Sequence, residues 1–379
     1  MQVRRTLKYR LYQNRRNRKL VQQIDIAGII WNHLTALQRR YYRMYGGYIP
    51  KYRMMKHIAK LRNGRRCEWN LLGSQAVQQI VERHDMAYQR FFEWAKSRSG
   101  RRVSPPRFRK VKRYTSFTLK QAGWKYLGGN RLRIGKMVYK FALSRPIEGE
   151  IKTVTIKRDT VGRLYVCFSV VQEVEPTEVS TNKIGGFDFG LKTFLTDHEG
   201  RRYQSPEFLR SQLNEIARLN RALARKQKDS KNREKARRRL AMTYNRLANK
   251  RRDHHFKLAN RLLAEYDVLC FEDLNIDAMK RIWGRKVSDL GFAEFLSILE
   301  SLAHMRGKRV IKVGRFEPTS QTCSQCEHRQ PMPLSERLFE CSGCGTVMDR
   351  DHNAACNIRS WGINSGLGSV RRSQTAASA

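Results

Sequence analysis

The stretch KIGGFDFGLKTFLTDHEGRRY, residues 183–203, predicts a hairpin in which a buried apolar strand is followed by a turn and a second strand. Asp188 lies in the apolar strand, between Phe187 and Phe189. A charged group beside a buried strand is costly unless it is paired or bound to a cation. Asp188 is therefore a candidate functional carboxylate.

Two later segments place carboxylates in similar surroundings. In EYDVLCFEDLN, an apolar run ends in Glu272 and Asp273, as expected where a buried strand presents acids at its tip. Asp349 and Asp351 follow in DRDHNAACNI. Three carboxylates from distant segments that meet at strand ends could hold two Mg²⁺ or Mn²⁺ ions about 4 Å apart at a scissile phosphate. Alternatively, each acid pairs with one of the many cations, or Asp351 caps the segment that follows it.

Four cysteines form two CxxC pairs, Cys323 with Cys326 and Cys341 with Cys344, and 14 residues separate the pairs. Each pair lets two thiolates face one point, and four thiolates give the tetrahedral, soft ligand set that zinc favours. This spacing predicts a closed, structural zinc site, with four structural thiols that bind no metal as the alternative. His328 could replace a ligand, but four cysteines make it unnecessary. The other cysteines are scattered, which indicates a reducing cytosol rather than a disulfide framework.

The composition indicates a polyanionic partner. Lys and Arg number 77 against 33 Asp and Glu, a formal net charge of +44, and a globular chain with this charge repels itself unless a polyanion neutralises it. Hydrophobic residues make up 40% and aromatic residues 10%, which favours packed cores over wholesale disorder. No apolar run approaches the ~20 residues of a membrane span, and the N-terminus lacks the apolar core of a secretory signal.

Nucleic acid is therefore the expected partner, and two basic stretches are its candidate contacts. These stretches are RFRKVKR at 107–113 and KQKDSKNREKARRR at 226–239. Their side chains should contact phosphates, and such contacts supply affinity but no sequence specificity. For any single residue, a solvated helix face is the alternative. The candidate residues are Arg107, Arg109, Lys110, Lys231, Arg233, Arg237 and Arg238.

The first half of the chain combines helices with short strands. Residues 1–12 predict a strand, and apolar positions stepping by three or four over 20–41 predict a helix that Gly46 helps to end. A second helix is predicted over 74–96, with its first residue as the N-cap. From about 101 to 175, short apolar runs separated by glycine turns predict a β-barrel with the helices inserted after its first strand.

A polar linker near 174–183 is the expected domain boundary. Two long basic helices should follow the hairpin, and the histidines His254 and His255 on the second are expected to contact phosphate or solvent. A helix over 291–307 and a strand over 308–314 lead into the cysteine segment. The tail is rich in Ser, Gly and Ala and is predicted to be disordered.

The order of motifs in the second half of the chain resembles the TnpB family of transposon-encoded RNA-guided nucleases, which are similar to the ancestors of type V CRISPR effectors. These motifs are, in order, GGFDFGLKTF, a basic helical pair, YDVLCFEDLNIDAM, the CxxC pairs and MDRDHNAACNI. The resemblance extends over almost the whole chain, because the N-terminal half contains four further segments like those of the family: LKYRLYQN, WNHL, PRFRK and GEIKTVTIKRD. It implies a multidomain α+β or α/β fold, with a wedge-like N-terminal β-barrel, an inserted helical bundle and a RuvC-like nuclease domain of RNase H fold that carries the zinc ribbon. The corresponding boundaries are 1–12 and 101–178 for the barrel, 13–100 for the insertion, 179–365 for the nuclease domain, 316–347 for the ribbon and 366–379 for a disordered tail.

The resemblance also implies the reaction. It is that of an RNA-guided, Mg²⁺-dependent DNA endonuclease of a transposable element, which cleaves DNA complementary to its guide beside a short transposon-adjacent motif. The family's three acids map onto Asp188, Glu272 and Asp351. Asp351 is preferred to Asp349 because the family's acid is closely followed by the Asn-Ala-Ala segment. The alternatives are a nuclease-silent RNA-guided repressor, and a transposase acting directly on DNA ends, for which the chain has no evident Tyr or HUH nucleophile motif.

The partners implied are a guide RNA from the transposon end and double-stranded target DNA, bound by a monomeric protein in the cytoplasm, at the nucleoid. The cofactors implied are structural zinc and catalytic Mg²⁺ or Mn²⁺. The barrel and its insertion should hold the guide and read the flanking motif through Ser74, Gln75, Gln78 and Gln79. Gln can read adenine bidentately, and an exposed helix face is the alternative for these four residues.

Overall fold

The chain forms two compact units, Met1–Val174 and Glu175–Ala379, in the computed structural model. The structure describes residues 2–100, 102–173, 181–315, 317–333 and 335–375. The predicted boundary at 178/179 and most of the predicted linker lie outside the described residues. Among the described residues, no helix is both long enough and apolar enough to cross a membrane.

Antiparallel strands make up two sheets of the first unit. One sheet has the order β1-β7-β6-β2 and the other β3-β4-β5, and a bridge between Leu11 and Phe141 joins their edges. The described hydrogen bonds thus define two sheets, and a closed barrel stays a prediction. The strands are β1 (Gln2–Arg10), β2 (Ser116–Leu119), β3 (Trp124–Tyr126), β4 (Arg131–Ile134), β5 (Met137–Lys140), β6 (Glu150–Arg158) and β7 (Leu164–Glu173).

Between β1 and β2, the described residues form three α-helices: α1 (Asn17–Tyr45), α2 (Lys51–Arg62) and α3 (Ser74–Ser97). Gly46 ends α1 in the left-handed conformation and donates its N–H to Tyr42, as its lack of a Cβ allows. The predicted N-cap is wrong by one position, because Gly73 is the cap and Ser74 begins the helix without a side-chain capping bond.

The second unit is built on a mixed five-stranded sheet of order β10-β9-β8-β11-β12. Its first three strands form an antiparallel meander, whereas β11 pairs in parallel with both β8 and β12. The predicted hairpin supplies β8 and β9, and the apolar run VLCF supplies the central strand β11. The strands are β8 (Ile184–Asp188), β9 (Leu195–Asp197), β10 (Arg202–Tyr203), β11 (Val268–Glu272) and β12 (Arg309–Val313).

In the described part of the second unit, five α-helices accompany this sheet: α4 (Leu213–Ala224), α5 (Lys231–Glu265), α6 (Ile276–Leu290), α7 (Phe292–Met305) and α8 (Arg350–Thr375). Apolar residues of α5 and α7 pack with β8 and β11 in one core. His255 belongs to this core, since its ring packs on Phe194 and its Nε2 lies 3.1 Å from the carbonyl oxygen of Leu290. The prediction that His255 contacts phosphate or solvent is therefore wrong.

Helix α8 continues to Thr375, which corrects the predicted disordered tail up to that residue; residues 376–379 lie outside the described residues. The segment contains no proline, and each residue added to an existing helix gains a hydrogen bond without a new nucleation cost.

Gly186 allows α8 to lie directly on β8. A Cβ at this position would lie 2.2 Å from the carbonyl oxygen of Ala355 and 2.5 Å from the backbone nitrogen of Arg359. These distances are far below van der Waals contact, so any larger residue would force the helix away from the strand. Only glycine permits this packing.

We expect Gly186→Ala to lower the free energy of unfolding by roughly 1–3 kcal/mol, since overpacking displaces α8. Chemical denaturation measures this change. Gly284→Ala is the matched control, because a Cβ on Gly284, in α6, meets nothing within 4 Å and alanine favours helix. Equal stability of Gly186→Ala and the wild type would contradict the packing.

Candidate active site and zinc centre

The sheet places Asp188 and Glu272 side by side. Strands β8 and β11 run parallel with Phe187 opposite Phe271, so the next residue of each strand lies at the same edge of the sheet. Side chains at matching positions of neighbouring strands project to the same face. Both strands are apolar up to this point and end in an acid, as the sequence predicted.

Helix α8 brings Asp351 to the same face. The helix covers Gly186, which lies two residues before Asp188. Gly362 of the helix packs against Cys270, which lies two residues before Glu272. Residues two apart on a strand share a face, so both carboxylates project beyond the patch that α8 covers. Asp351 lies in the first turn of the helix, and a Cβ on Gly190 would lie 3.6 Å from its Oδ2.

The charges of Asp351 and Glu272 both act on Asp188. Burial, followed by the charges of Asp351 and Glu272, raises the pKa of Asp188 to about 8. Burial, followed by the neighbouring Asp273, raises the pKa of Glu272. Asp188 keeps some solvent access, so water and ions can reach it. A cluster of partly buried acids of this kind favours either a bound proton or a bound cation.

Asp349 and Asp351 have different roles. Asp349 Oδ1 accepts the backbone N–H groups of Asp351 (3.0 Å) and His352 (3.2 Å), and Oδ2 pairs with Arg202 at 2.7 Å. Asp349 is therefore the residue that caps α8, and the alternative that Asp351 is the cap is wrong. Asp351 is left to face the acids, with Arg350 at 3.3 Å and Arg337 at 3.7 Å.

The four cysteines form a compact cluster. Their Sγ atoms all lie within 4.8 Å of one another, with 3.7 Å between Cys323 and Cys344 and 3.5 Å between Cys326 and Cys341. A tetrahedral zinc ion with ~2.3 Å bonds to sulfur requires S···S distances of about 3.8 Å. The cluster therefore fits zinc. Among the described residues, no other set of three or more His, Cys, Asp or Glu has ligand atoms that all lie this close together. The carboxylate oxygens of Asp188, Glu272 and Asp351 are therefore more widely spaced than the four cysteine sulfurs.

Two asparagines connect the cysteine segment to α8. Asn353 accepts the N–H of Ser324 (2.9 Å) and donates to the carbonyl oxygen of Thr322 (2.7 Å). Asn357 donates to Thr319 (2.8 Å) and to Thr322 (2.7 Å). Both asparagines are buried. The sequence analysis used the Asn-Ala-Ala segment only to choose Asp351, and it missed this role because the partners are backbone atoms of a distant loop.

The last strand of the ribbon runs directly into α8. Strands β13 (Leu338–Glu340) and β14 (Val347–Asp349) pair antiparallel, and α8 begins at the next residue. Folding of the ribbon and the position of Asp351 are thus mechanically coupled. Phe316, the predicted start of the ribbon, lies outside the described residues.

The predicted motif-reading residues lie on one side of α3. Ser74 and Gln78 are exposed, Gln75 and Gln79 are half-buried, and Ala76, Val77 and Ile80 form the buried face. Ser74 and Gln78 are thus the accessible pair, whereas Oε1 of Gln79 is buried without a hydrogen-bond partner among the described residues. This placement does not distinguish between base recognition and a solvated helix face, so the role of the four residues stays a prediction.

The predicted phosphate contacts differ in their surroundings. Arg107, Arg109 and Lys110 are exposed, and the guanidinium of Arg109 stacks on Trp31 at 4.6 Å. Lys231 and Arg238 are exposed as well, whereas Arg237 pairs with Glu234. Arg233 donates to the carbonyl oxygens of Leu223 and Lys226, so it stabilises the turn between α4 and α5.

Two family models match the second unit and the end of the first. One, described as "Probable transposase", matches residues 167–283, and the other, described as "Cas12f1-like, TNB domain", matches residues 292–358. The second match contains all four cysteines and Asp351. A "Putative RNA-guided DNA endonuclease" of Streptomyces pristinaespiralis is 29% identical over 96% of this chain and 90% of its own length. The "TnpB-like protein L79" of Acanthamoeba polyphaga mimivirus is 30% identical over 59% of this chain and 46% of its own length.

The chain is similar to proteins of the TnpB family. Among solved structures, the protein in "Cryo-EM structure of the Cas12f1-sgRNA-target DNA complex" has a similar fold, with a TM-score of 0.58 and 16% identity over 94% of this chain and 99% of that chain. The TnpB resemblance stated from the motifs is thus confirmed, and the mixed α/β architecture agrees with the fold of that structure.

The raised pKa of Asp188 predicts a pH-dependent stability. Between its ordinary value of 3.8 and about 8, the folded protein holds a proton that the unfolded chain has released. Stability without Mg²⁺ or Mn²⁺ should therefore fall as the pH rises through this window. Asp188→Asn should remove this slope, raising the Tm at about pH 9 by at least ~2 °C relative to the wild type. Asp253→Asn, at an exposed ion pair on α5, is the control, and parallel wild-type and Asp188→Asn profiles would contradict the prediction.

Loss of the zinc ligands should unfold the ribbon. We expect Cys341→Ser with Cys344→Ser to abolish zinc binding and to increase hydrogen exchange from about residue 316 to 347, because the thiolates no longer hold the two knuckles together. Exchange should also rise at the start of α8, where Asn353 loses its partners. Cys67→Ser, at an exposed position in the first unit, is the control. Unchanged exchange in the zinc-free variant would contradict the coupling.

Proposed function

We propose that this TnpB-like protein is an RNA-guided, Mg²⁺-dependent DNA endonuclease that cleaves DNA complementary to its guide, next to a short transposon-adjacent motif. The observation that carries the proposal is the convergence of Asp188, Glu272 and Asp351 at one edge of the sheet. The antiparallel meander that continues into parallel strands supports a RuvC-like domain of RNase H fold. Relatives named as RNA-guided DNA endonucleases support the reaction class.

Each acid contributes to the site through its position. Asp188 is affected by the charges of both other acids, so a bound divalent cation would favour its ionised form. Glu272 and Asp351 would supply the further carboxylate ligands. Bound Mg²⁺ or Mn²⁺ ions would activate water and stabilise the leaving oxygen of the phosphodiester.

Arg350 and Arg337 balance the negative charge around Asp351. Their pairing stabilises an acid cluster that would otherwise repel itself. The three acids are spaced more widely than the cysteine ligands, which is compatible with carboxylates that share two cations rather than one.

The net charge of +44 supports binding of both nucleic acids, with phosphate contacts supplying affinity. Sequence specificity would come from base pairing with the guide. In this proposal the first unit holds the guide and reads the flanking motif through Ser74, Gln75, Gln78 and Gln79, and residues 179–365 form the nuclease domain. Arg107, Arg109, Lys110, Lys231 and Arg238 are its phosphate contacts, and a monomer acts in the ribonucleoprotein.

The test uses the protein with RNA from the transposon end and a matching DNA that carries a flanking motif. We expect Asp188→Ala and Asp351→Asn to lower the Mg²⁺-dependent cleavage rate by at least roughly 1,000-fold, about 4 kcal/mol of transition-state stabilisation. Asp349→Asn is the matched control, since asparagine caps helices as well as aspartate does, and it should retain most activity.

Each other outcome identifies a different function. Cleavage by Asp188→Ala at the wild-type rate would contradict the assignment of the acids. Guided DNA binding by the wild type without a cleavage product would favour the repressor, and joining of DNA ends without RNA would favour the transposase.

A further inference from the structure

The small sheet β3-β4-β5 has one apolar face and one cationic face. Leu132, Ile134 and Tyr139 are buried in the core of the first unit, with Trp124 and Tyr126 packed against that core on the same face. Its other face exposes the side chains of Lys125, Arg131, Arg133 and Lys140. We call these four residues the cationic face.

The strand register sets the four cations directly against one another. Lys125 is opposite Arg133, and Arg131 is opposite Lys140. Directly opposite side chains on one face have Cβ atoms about 5 Å apart, and like charges in such pairs are destabilising. The sheet therefore carries two repulsive pairs in only three short strands.

The other sheets avoid this arrangement. In the described registers, the Lys and Arg residues of β1, β6, β10 and β12 lie opposite neutral residues, for example Lys8 opposite Cys167 and Arg202 opposite Thr196. The repulsion is thus specific to the cationic face and is not a simple consequence of the basic composition.

Nothing acidic in the surrounding sequence relieves the repulsion. The sequence contains no Asp or Glu from residue 94 to residue 147, a stretch that includes all three strands. Within the described part of the chain, Lys125, Arg131, Arg133 and Lys140 form no ion pair with a protein carboxylate. An external anion is the remaining source of compensation.

We propose that the cationic face binds the phosphate backbone of the guide RNA, an inference that rests on the proposed function for the identity of this partner. The repulsion is present throughout the life of the protein, so a partner that is bound throughout, rather than a transient DNA target, offsets it. The contact is with phosphates and not with bases, because the aromatic residues of this sheet, on which bases could stack, lie on its apolar face.

The experiment changes the sign of one member of each pair. The double variant Arg133→Glu with Lys140→Glu converts both repulsive pairs into attractive ones. A second double variant, Lys125→Glu with Arg131→Glu, also makes both pairs attractive, but it places the negative charges on the opposite member of each pair. The RNA-free proteins are compared by thermal denaturation. Affinity is then measured for an RNA transcribed from the transposon end and for a DNA hairpin of the same sequence, over a series of salt concentrations.

The matched control changes the net charge equally on the second unit. Lys257→Glu with Lys312→Glu reverses two exposed lysines that pair with Asp253 and Glu300. This control should lower the Tm, since attractive pairs become repulsive, and should leave RNA affinity within about threefold of the wild type.

We expect both double variants of the cationic face to raise the Tm of the RNA-free protein by about 1–4 °C. RNA affinity should fall at least ~10-fold near 0.1 M salt, and the slope of log K against log salt should shrink by roughly 2. A role in folding alone would not combine greater stability with weaker binding. Wild-type RNA affinity and slope in both variants would overturn the proposal, as would an equal loss in the control.

Two further outcomes would also overturn it. A lower Tm in both variants would contradict the repulsion itself, and a loss restricted to the DNA hairpin would exclude RNA as the occupant. Because these measurements need no cleavage, failure of the nuclease proposal is recognised separately, as intact target DNA in the wild-type assay.

Discussion

The close approach of α8 to β8 at Gly186 is the contact on which the candidate active site depends. Asp188 and Glu272 come from neighbouring strands and are brought together by sheet pairing alone. Asp351 comes from far along the chain, and it reaches the other two only because a strand residue without a Cβ lets the helix lie against the backbone. The cap from Asp349 then fixes the first turn. Sheet register and helix packing thus act together to place three acids at one edge.

Those acids are held in a protein whose charge is otherwise overwhelmingly positive. Burial, followed by the charges of two neighbouring carboxylates, raises the pKa of Asp188 to about 8, so a nearby positive charge would favour its ionised form. Arginines on either side of Asp351 provide part of that balance. The cysteine segment stiffens the same region, because two buried asparagines of α8 bind the backbone of Ser324, in its first CxxC pair, and of Thr319, just before that pair. The candidate site therefore has an excess of negative charge, which suits divalent cations. The cationic face of the first unit has an excess of positive charge, which suits phosphate.

The sequence predicted the elements that have strong local patterns. The strands that end in Asp188 and Glu272, the long helix α1 and the cysteine pairs were all identified correctly, because apolar periodicity and ligand spacing are local properties. Helix α2 was missed because it buries only Met54 and Ile58, a single helical repeat. Helix α6 was missed because its pattern is interrupted at Trp283, where the backbone is not helical. The burial of His255 depends on partners distant in sequence, Phe194 and Leu290, which no local pattern contains. The cap of α8 is a local feature, but Asp349 and Asp351 are both residue types that cap helices, and only the structure shows that Asp349 is the cap.

The central claim is that Asp188, Glu272 and Asp351 form one divalent-cation site. Anomalous scattering from Mn²⁺-soaked crystals of the protein tests it most directly. The account predicts Mn²⁺ peaks within about 2.5 Å of carboxylate oxygens from all three residues, and loss of these peaks in Asp188→Asn. Mn²⁺ bound elsewhere, or contacting no more than one of the three acids at millimolar concentration, would contradict the account.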